Sequence, residues 1–409
     1  MTDSYRNTPE YFDNIIAGAG LAGLTAAAAM AGRPFFQQKR ILLIDRDDKQ
    51  KNDRTWCFWA SDAAELPPVI HRSWDHCNFF APGFEKKMAI APYRYHLVRG
   101  IDFYRWASAQ IALSPNIQWK TASIQQMNAA SGWVQTDAGD FQAGVILNSA
   151  FLAPGLMPAY PSLPFSLGQD IARRKKAGIA LLQHFKGWMI ETATPAFDPG
   201  AMTFMDFRLE QRGETRFVYV LPFSNNQALV EFTVFSPALL PALEYDGELK
   251  QYIQTKLQIR DFQIRETEFG VIPMSNFPFP HRQQGKTIHS GPAGGFVKAS
   301  SGYAFKRTQE KIAAFITDWE NRGQPDARVL PSPGLFRAFD HIFLQVLKNN
   351  NALGGRIFTR LFQRLPPDLV LRFLDEGSTF VENLRLVSAP PTGPFLRAFF
   401  QQLPRLLRF

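Results

Sequence analysis

A glycine-rich turn near the N-terminus places the strongest constraint on the fold of this chain. Residues 14–17 (NIIA) form a short apolar run, GAGLAG follows at 18–23, and an alanine-rich segment with high helix propensity comes next. A second apolar run at 41–44 (ILLI) ends on Asp45. This order predicts a strand, a glycine turn, a helix and a second strand parallel to the first.

The spacing Gly-x-Gly-x-x-Gly, followed by an acid 22 residues after its last glycine, predicts a dinucleotide site. Its first glycine permits the tight turn, the second lets the backbone approach a pyrophosphate, and the third lets helix and strand pack closely. The helix N-terminus adds unpaired N–H groups and the positive end of its dipole. Asp45 can accept hydrogen bonds from an adenosine ribose. The candidate contacts in the turn are Gly18, Ala19, Gly20, Leu21, Ala22 and Gly23.

A second glycine-rich segment, residues 289–305, favours FAD over NAD as the dinucleotide. Both cofactors share the first fingerprint, so that motif alone does not separate them. A late glycine turn ahead of a helix is typical of folds in which a long flavin runs from the first motif to a second helix N-terminus. The candidate FAD contacts in this segment are Gly291, Gly294, Gly295, Ser301 and Gly302.

The remaining hydrophobic patterns predict a mixed α/β architecture. The predicted elements are a helix at 100–113, strands at 117–127, 132–136 and 141–148, a mainly antiparallel sheet at 178–235, a helix at 246–258, a turn and helix at 291–320, and helices over the last 75 or so residues. We predict a discontinuous FAD-binding domain of residues 1–75, 100–178 and 286–330, a substrate-binding β-sheet domain of residues 76–99 and 179–285, and a helical C-terminal region of residues 331–409.

Composition narrows the classes of partner. The 37 phenylalanines, against 10 tyrosines and 8 tryptophans, suit a pocket for a large apolar ligand, although a phenylalanine-rich core is the simpler interpretation. The net charge of +9 favours an anionic partner such as a phosphate or an anionic membrane surface. No zinc-finger, RNP-like or basic-region pattern is present, so we do not expect a nucleic acid partner.

The cysteines and the apolar runs suggest a cytoplasmic protein. Cys57 and Cys77 could form at most one bridge, which suits a reducing compartment, and no Cys/His cluster predicts a metal site. The N-terminal residues are polar and mixed in charge, unlike a secretory signal. We also expect no membrane span, because no further run reaches about 20 apolar residues.

Segments outside the generic nucleotide signature resemble those of the bacterial FAD-dependent lycopene β-cyclases, a family of carotenoid cyclases. These segments are DRTWCFW at 53–59, MDFR at 205–208, FVYVLP at 217–222, LVEFT at 229–233 and SSGY at 300–303. The match runs from about residue 12 to the C-terminus. It implies a glutathione-reductase-like FAD-binding Rossmann domain with an inserted, mainly antiparallel β-sheet substrate domain and a helical C-terminal region.

The resemblance also implies a reaction and its cofactors. It implies closure of the acyclic ψ ends of lycopene and related carotenoids into β-ionone rings, with reduced FAD, without net redox change, and with NAD(P)H as the reductant. Contact with other carotenoid enzymes is a further expectation. The family's catalytic acid lies in a Phe-Leu-Glu-Glu-Thr-like motif, which carries over to Glu231. Phe232 stands where the family often has a second Glu, and residues 147–150 lack the glycine turn of related flavoproteins.

Several residues keep two interpretations. A carboxyl among apolar strand residues suits proton donation because burial raises its pKa, but strand alternation alone would also let Glu231 face water. Asp206 is a second candidate catalytic acid or a structural one. Arg54, Arg99 and Ile124 complete the candidate FAD contacts. Trp56 and Trp59 either shape the flavin side of the pocket or are structural, and His184 is interpreted as structural.

The competing functions are a flavoenzyme of the same fold and a non-catalytic carotenoid binder. A FAD-dependent monooxygenase or isoprenoid reductase would consume NADPH, whereas a cyclase gives an isomer of equal mass. Residues 395–409 combine four Phe, four Leu and three Arg with no acid. They are interpreted either as a peripheral segment on an anionic membrane or as a helix docked on the protein's own core.

Overall fold

The computed structural model describes residues 8–62, 66–150, 178–276, 283–329 and 334–406. Its strands are β1 (Glu10–Ala17), β2 (Ile41–Asp45), β3 (Thr55–Ala60), β4 (Arg72–Trp74), β5 (His76–Ala81), β6 (Phe84–Ala89), β7 (Arg94–Arg99), β8 (Ile117–Thr121), β9 (Ile124–Asn128), β10 (Trp133–Thr136), β11 (Gly139–Asn148), β12 (Ala180–Glu191), β13 (Ala201–Asp206), β14 (Thr215–Pro222), β15 (Gln227–Ser236), β16 (Gln263–Ser275), β17 (Gln283–Gln284) and β18 (Thr287–His289). Its α-helices are α1 (Leu21–Met30), α2 (Pro34–Gln37), α3 (Gly100–Ala112), α4 (Ala242–Thr255), α5 (Phe305–Arg322), α6 (Gly334–Asn349), α7 (Leu353–Arg364), α8 (Pro367–Leu374), α9 (Phe380–Ser388) and α10 (Thr392–Leu406).

The first sheet has a parallel centre. Its order is β17-β18-β11-β1-β2-β8, with the β9–β10 hairpin joined to the first half of β11. Strands β18, β11, β1, β2 and β8 run parallel to one another in this order, whereas β17 is antiparallel to β18. Helices α1, α3 and α5 cover one face, where Ile16 and Leu43 of the strands meet Phe103 and Phe315. On the other face, Ile15 and Leu42 pack with Val134 of the β9–β10 hairpin. Because both faces are covered, the central strands are almost wholly apolar. The predicted parallel strand–helix–strand unit agrees with this sheet.

The second sheet is mainly antiparallel, with the order β16-β12-β15-β14-β13-β5-β6. The β13–β5 pair is its parallel member. Helix α4 covers one face, where Phe232 and Tyr245 have their ring centroids 6.2 Å apart. The C-terminal helices cover part of the other face, where Phe79 and Phe362 lie 4.9 Å apart. The C-terminal helices leave the remaining part of this face uncovered. That part of the sheet faces a cavity toward the first sheet.

A three-stranded sheet, ordered β3-β7-β4, connects the two larger layers. On β3, Phe58 packs with the core of the first sheet, and the next residue, Trp59, packs with the core of the second sheet. Trp59 Nε1 also donates a hydrogen bond to the carbonyl oxygen of Leu371 at 3.0 Å. Successive side chains of a strand point to opposite faces, so one short strand serves both cores.

The C-terminal residues are helical, as the sequence predicts. Helix α10 packs on α6, where Ala398 is fully buried and Gln402 Nε2 donates to Gln345 Oε1 at 2.6 Å. Among the described helices, none combines the length and apolarity needed to cross a bilayer. Residues 407–409 of the predicted membrane segment lie outside the described residues.

The predicted domain boundaries stay a prediction. Strands β5, β6 and β7 all fall within residues 76–99, which we assigned to the substrate domain. Strands β5 and β6 join the second sheet, whereas β7 pairs with β3 and β4. Residues 1–7 and 151–177 of the predicted FAD-binding domain lie outside the described residues.

Candidate active site

A cavity of about 650 Å³ lies between the glycine turn, β3 and the open face of the second sheet. Its wall on the side of the second sheet is largely apolar, with Phe185, Leu229, Val271 and Ile272 among its members. The predicted site residues that line it are Gly18, Gly20, Leu21, Ala22, Asp45, Arg54, Ile124, Glu231, Gly291, Ser301 and Gly302. Residues that are distant in the sequence thus line one cavity. Its side at the glycine turn carries charged residues such as Asp45 and Arg54, and its side at the second sheet is largely apolar.

The first glycine turn presents an uncapped helix end to this cavity. Gly20 is the N-cap of α1, and no side chain caps that end. A Cβ built on Gly20 would meet no atom within 4 Å, so the space above it is open. Asp45 Oδ2 accepts a hydrogen bond from the backbone N–H of Ala19 at 2.6 Å, which holds the end of β2 against the turn. Such a helix end attracts anionic groups.

The second glycine segment lies on the same side of the cavity. Gly291, Gly295 and Gly302 have φ angles of 59°, 74° and 74°, a region that favours glycine. A Cβ on Gly302 would also stand 2.3 Å from Gln183 Oε1. Ser301 Oγ lines the cavity, is buried and has no hydrogen-bond partner among the described residues. An unpartnered buried hydroxyl of this kind fits a polar ligand in the cavity.

Five predicted FAD contacts do not line the cavity. Ala19, Gly23 and Gly294 are buried within the turns themselves. Gly295 forms the end of the short 3-10 turn Gly291–Gly294. Arg99 makes an ion pair with Glu266 at 2.8 Å. Their contacts are with the protein, and a direct role in binding stays a prediction for each.

Arg54, directly before β3, is one of the cations that line the cavity, together with Arg46 and Lys49. Its guanidinium pairs with Asp53 at 2.5 Å, and Tyr104 donates a hydrogen bond to the same carboxyl at 2.6 Å. The Arg54 side chain keeps 44% of its surface exposed and lines the cavity. It can therefore turn part of its fork of N–H donors toward an anionic ligand.

Glu231 lies on the cavity side of β15. Its neighbours Val230 and Phe232 are fully buried against α4, and alternation along the strand turns Glu231 to the opposite face. Thr233 Oγ1 donates a hydrogen bond to Glu231 Oε1 at 3.0 Å. Burial raises the pKa of Glu231 well above its usual value, and the adjacent Glu268 raises it further. Both effects favour the neutral, protonated form of this carboxyl beside the apolar wall of the cavity.

Glu268 is a neighbour that the sequence analysis did not find. Gly187 of β12 pairs with Glu231 on one side and with Glu268 of β16 on the other. Glu268 is 8% exposed, and its Oε1 has no hydrogen-bond partner among the described residues. Burial raises the pKa of Glu268 to about 7, against the lowering effects of hydrogen bonds with Thr55 and Glu231. No local sequence pattern marks this residue, because strand register alone brings it to Glu231.

Aromatic side chains surround the carboxyl end of the cavity. Tyr95, Tyr219 and Tyr303 line it, and the hydroxyl oxygens of Tyr95 and Tyr303 are 3.0 Å apart. Burial raises the pKa of all three phenols, so they are neutral at ordinary pH. Trp56 also lines the cavity, whereas Trp59 belongs to the core of the second sheet. Aromatic faces at these positions can stabilise a cation.

Asp206 lies away from the cavity. It is fully buried at the end of β13, where Arg208 Nη2 pairs with it at 2.6 Å and Tyr252 donates a hydrogen bond at 2.7 Å. These contacts favour the structural interpretation of Asp206, and its catalytic role stays a prediction. His184 likewise bonds inside the protein, to Ser236 at 2.8 Å and to Tyr245 at 2.6 Å.

The chain is similar to known proteins over nearly its full length. A family model described as "Lycopene cyclase protein" matches residues 13–399. A lycopene beta-cyclase of Paracoccus sp. is 26% identical, with 93% of this chain and 95% of that protein covered. A lycopene beta-cyclase of Pantoea ananas is 24% identical, with 95% and 97% covered.

Solved structures show the same fold at low identity. A geranylgeranyl bacteriochlorophyll reductase-like protein from Thermoplasma acidophilum has a TM-score of 0.56 at 12% identity and covers 98% of this chain and 98% of its own. The flavin-dependent brominase Bmp2 has a TM-score of 0.57 at 12% identity and covers 97% and 99%. At this level the likeness concerns the α/β fold and not the substrate.

Proposed function

The chain belongs to the lycopene cyclase protein family, and from this premise we propose that it cyclises the acyclic ψ ends of lycopene to β-ionone rings. The observation that carries the proposal is the position of Glu231, a carboxyl that burial and Glu268 bias toward its neutral form at the largely apolar wall of the cavity. An enzyme that protonates an alkene needs a neutral acid in such surroundings.

The cavity residues fit FAD as the cofactor. The open space above Gly20, the uncapped start of α1 and the unpartnered hydroxyl of Ser301 are the observations that support this fit. The α1 N–H groups and Arg54 would hold the pyrophosphate, and Asp45 would accept from the adenosine ribose. Reduced FAD, when bound, supplies an electron-rich ring that stabilises a nearby cation, and NAD(P)H is the proposed reductant.

The reaction begins with proton transfer from Glu231 to C2 of the terminal double bond. The electrons of the C1–C2 double bond form the new C–H bond and leave a cation at C1. The electrons of the C5–C6 double bond then form the C1–C6 bond, which moves the cation to C5. Loss of the C6 proton to the Glu231 carboxylate restores the C5–C6 double bond. One proton enters and one leaves, so the product is an isomer of lycopene.

The cation must be stabilised without water. The faces of Tyr95, Tyr219 and Tyr303 offer cation–π attraction of about 0.5–2 kcal/mol each. Leu229 and Val271 give the same part of the cavity an apolar wall that disfavours water. Both features support a carbocation reaction at this end of the cavity.

The proposed substrate is a forty-carbon hydrocarbon that partitions into lipid, so the protein must collect it from a membrane. We propose a peripheral position on an anionic membrane surface. On α9, Phe380 and Val381 are 69% and 66% exposed, and on α10 Phe400 is 65% exposed. Arg385 and Arg397 are exposed on the same two helices. Exposed apolar side chains with arginines beside them suit the headgroup boundary of a bilayer. The opposite surface of α10 is docked on α6. The docking accounts for one surface of this helix, and we propose that the exposed surface contacts the membrane.

An anaerobic assay tests the cyclase against a redox flavoenzyme. Purified protein is incubated with lycopene in liposomes, with FAD reduced beforehand and no NAD(P)H. We expect cyclic carotenoids with the mass of lycopene, formed over many turnovers for each flavin reduced. A reduced product limited to one for each flavin would assign the chain to the reductases. Product that forms only when both NAD(P)H and O2 are added, and that carries a hydroxyl group, would assign it to the monooxygenases.

A further inference from the structure

The family motif around Glu231 often has a second glutamate, and in this chain that position is Phe232. Phe232 is fully buried and packs against Tyr245 of α4, on the face of β15 that points away from the cavity. A second carboxyl at that position would face α4 and not Glu231. A partner for Glu231 must therefore come from another strand.

The register of three strands supplies such a partner. Glu231 of β15, Gly187 of β12 and Glu268 of β16 lie side by side across the sheet. Residues directly opposite in neighbouring strands turn to the same face. Glu231 and Glu268 thus point to one face with a single residue between them, and that residue has no side chain.

Gly187 makes room for the two carboxyls to meet. A Cβ built on Gly187 would stand 2.9 Å from Glu268 Cγ, 3.1 Å from Glu268 Oε1 and 3.0 Å from Leu229 Cδ1. The Glu268 side chain therefore lies over Gly187, in the direction of Glu231. Two carboxyls in contact at a buried site cannot both be ionised without strong repulsion, so they hold a proton between them.

The two members of the pair differ in their access to the cavity. Glu231 lines it, whereas Glu268 is buried and is not part of the lining. We propose, on the basis of the proposed function, that Glu268 is the second carboxylate of a one-proton pair and acts through Glu231 as a positioning residue. It holds the proton on Glu231 before the reaction. After transfer to the substrate the doubly ionised pair is a strong base, which takes up the C6 proton.

The other titratable groups around the pair do not compete with it near neutral pH. These groups come from three parts of the chain. They are Asp53, Arg54 and Cys57 in and just before β3, Tyr219 on β14, and Tyr303 just before α5. Burial raises the pKa of Cys57, Tyr219 and Tyr303, which keeps these groups neutral. A titration observed here around neutral or mildly alkaline pH is then that of the pair.

The test measures the proton on Glu231 without substrate. Infrared difference spectra of the flavin-loaded protein at stepped pH report protonated buried carboxyls, and the band lost in Glu231→Gln identifies Glu231. We expect Glu268→Gln to move its deprotonation to lower pH by about one unit or more. Gly187→Ala, which inserts a methyl group between the carboxyls, should move it in the same direction. Glu191→Gln, at a half-buried carboxyl at the end of β12, is the matched control and should change nothing.

Activity gives the second readout. The alkaline limb of the pH profile for lycopene cyclisation should shift in Glu268→Gln by the same amount as the infrared titration. An unchanged titration in both Glu268→Gln and Gly187→Ala would overturn the pair. A different outcome is that the titration shifts in the variants while the wild-type protein forms no cyclic product. This result would overturn the cyclase assignment and the catalytic use of the pair, but the two carboxyls would still share a proton.

Discussion

Gly23 approaches Gly18 so closely that a Cβ built on Gly23 would stand 1.8 Å from the Gly18 carbonyl oxygen. Ser149 Oγ donates a hydrogen bond to the same oxygen at 2.7 Å. Helix α1 is therefore fixed on β1 by a backbone contact that tolerates no side chain. Gly20 differs, because its missing Cβ faces open space.

This difference separates folding from binding within one motif. We expect Gly23→Ala to lower the free energy of unfolding by at least about 1–3 kcal/mol, because backbone atoms must move. Gly20→Leu should leave stability nearly unchanged and abolish FAD binding, because its side chain would fill the space above the turn. Thermal unfolding and flavin fluorescence of the purified proteins measure the two effects.

Gly247→Leu, also at an open position, is the control and should bind FAD. Normal flavin affinity in Gly20→Leu would refute the assignment of this turn.

Glu231→Gln should keep the fold and lose the reaction. Glutamine has the shape of the acid but no proton to give, and general acid–base help is worth about 10²–10⁴-fold in rate. The rate of lycopene conversion, measured at equal flavin occupancy, should fall by that amount. Full conversion by this variant would show that the proton comes from another group.

Asp206→Asn tests the structural interpretation of that acid. The change weakens the contact with Arg208, which keeps a third of its side-chain surface exposed, and disturbs the hydrogen bond from Tyr252. We expect a loss of about 1–3 kcal/mol in the free energy of unfolding by denaturant. Asp198→Asn removes an exposed ion pair and should have no measurable effect. A rate loss above tenfold in folded Asp206→Asn would instead support a catalytic role.

Stability should fall on acidification because of His184. Burial lowers the pKa of His184 from 6.5 to about 4, so the folded protein keeps it neutral while the unfolded chain takes up a proton below about 6.5. The unfolded state therefore binds more protons between these values, and stability is lost as the pH falls from about 6.5 to about 4. The full contribution is about 3 kcal/mol.

A histidine variant isolates this contribution. The slope of unfolding free energy against pH in that window should be smaller in His184→Gln than in the wild type. His96, whose pKa is also lowered to about 4, should keep part of the slope. His96→Gln provides the comparison, because it should reduce the slope by its own share. A slope in His184→Gln equal to that of the wild type would mean that His184 takes up a proton as readily in the folded protein as in the unfolded chain.

Membrane contact is tested by flotation with anionic liposomes. Exposed apolar residues on α9 and α10 should insert at the headgroup boundary, and each nearby arginine adds about 1 kcal/mol. We expect the full chain to float, less at high salt, and the double variant Phe380→Ser, Phe400→Ser to float poorly while staying folded. Leu243→Ser, at an exposed leucine on α4, controls for general loss of apolar surface. Equal flotation of the double variant and the wild type would place the contact on another surface.

The sequence predicts local features well and non-local ones poorly. The glycine turn, β1 and β2 follow from spacing and apolar runs that lie within forty residues, and they need no knowledge of the partner strands. The predicted helix at 246–258 begins at Ala242 in the structure, since Pro241 precedes its first turn. Glu268 escapes prediction altogether, because its contact depends on the pairing of β12 with both β15 and β16. For Asp206 the sequence leaves both interpretations open, since its apolar strand resembles that of Glu231, and only the tertiary contacts with Arg208 and Tyr252 favour the structural one.

Gly187 also has an evolutionary consequence. In a chain with acids at both positions 231 and 268, any side chain at 187 pushes the two carboxyls apart, so the residues at these three positions on three strands depend on one another. A lineage that loses the acid at position 268 releases position 187 from this constraint. Substitutions at 187 and 268 should therefore occur together among related chains. A glycine at 187 in a distant relative would indicate a second acid at the position of the neighbouring strand that pairs with it.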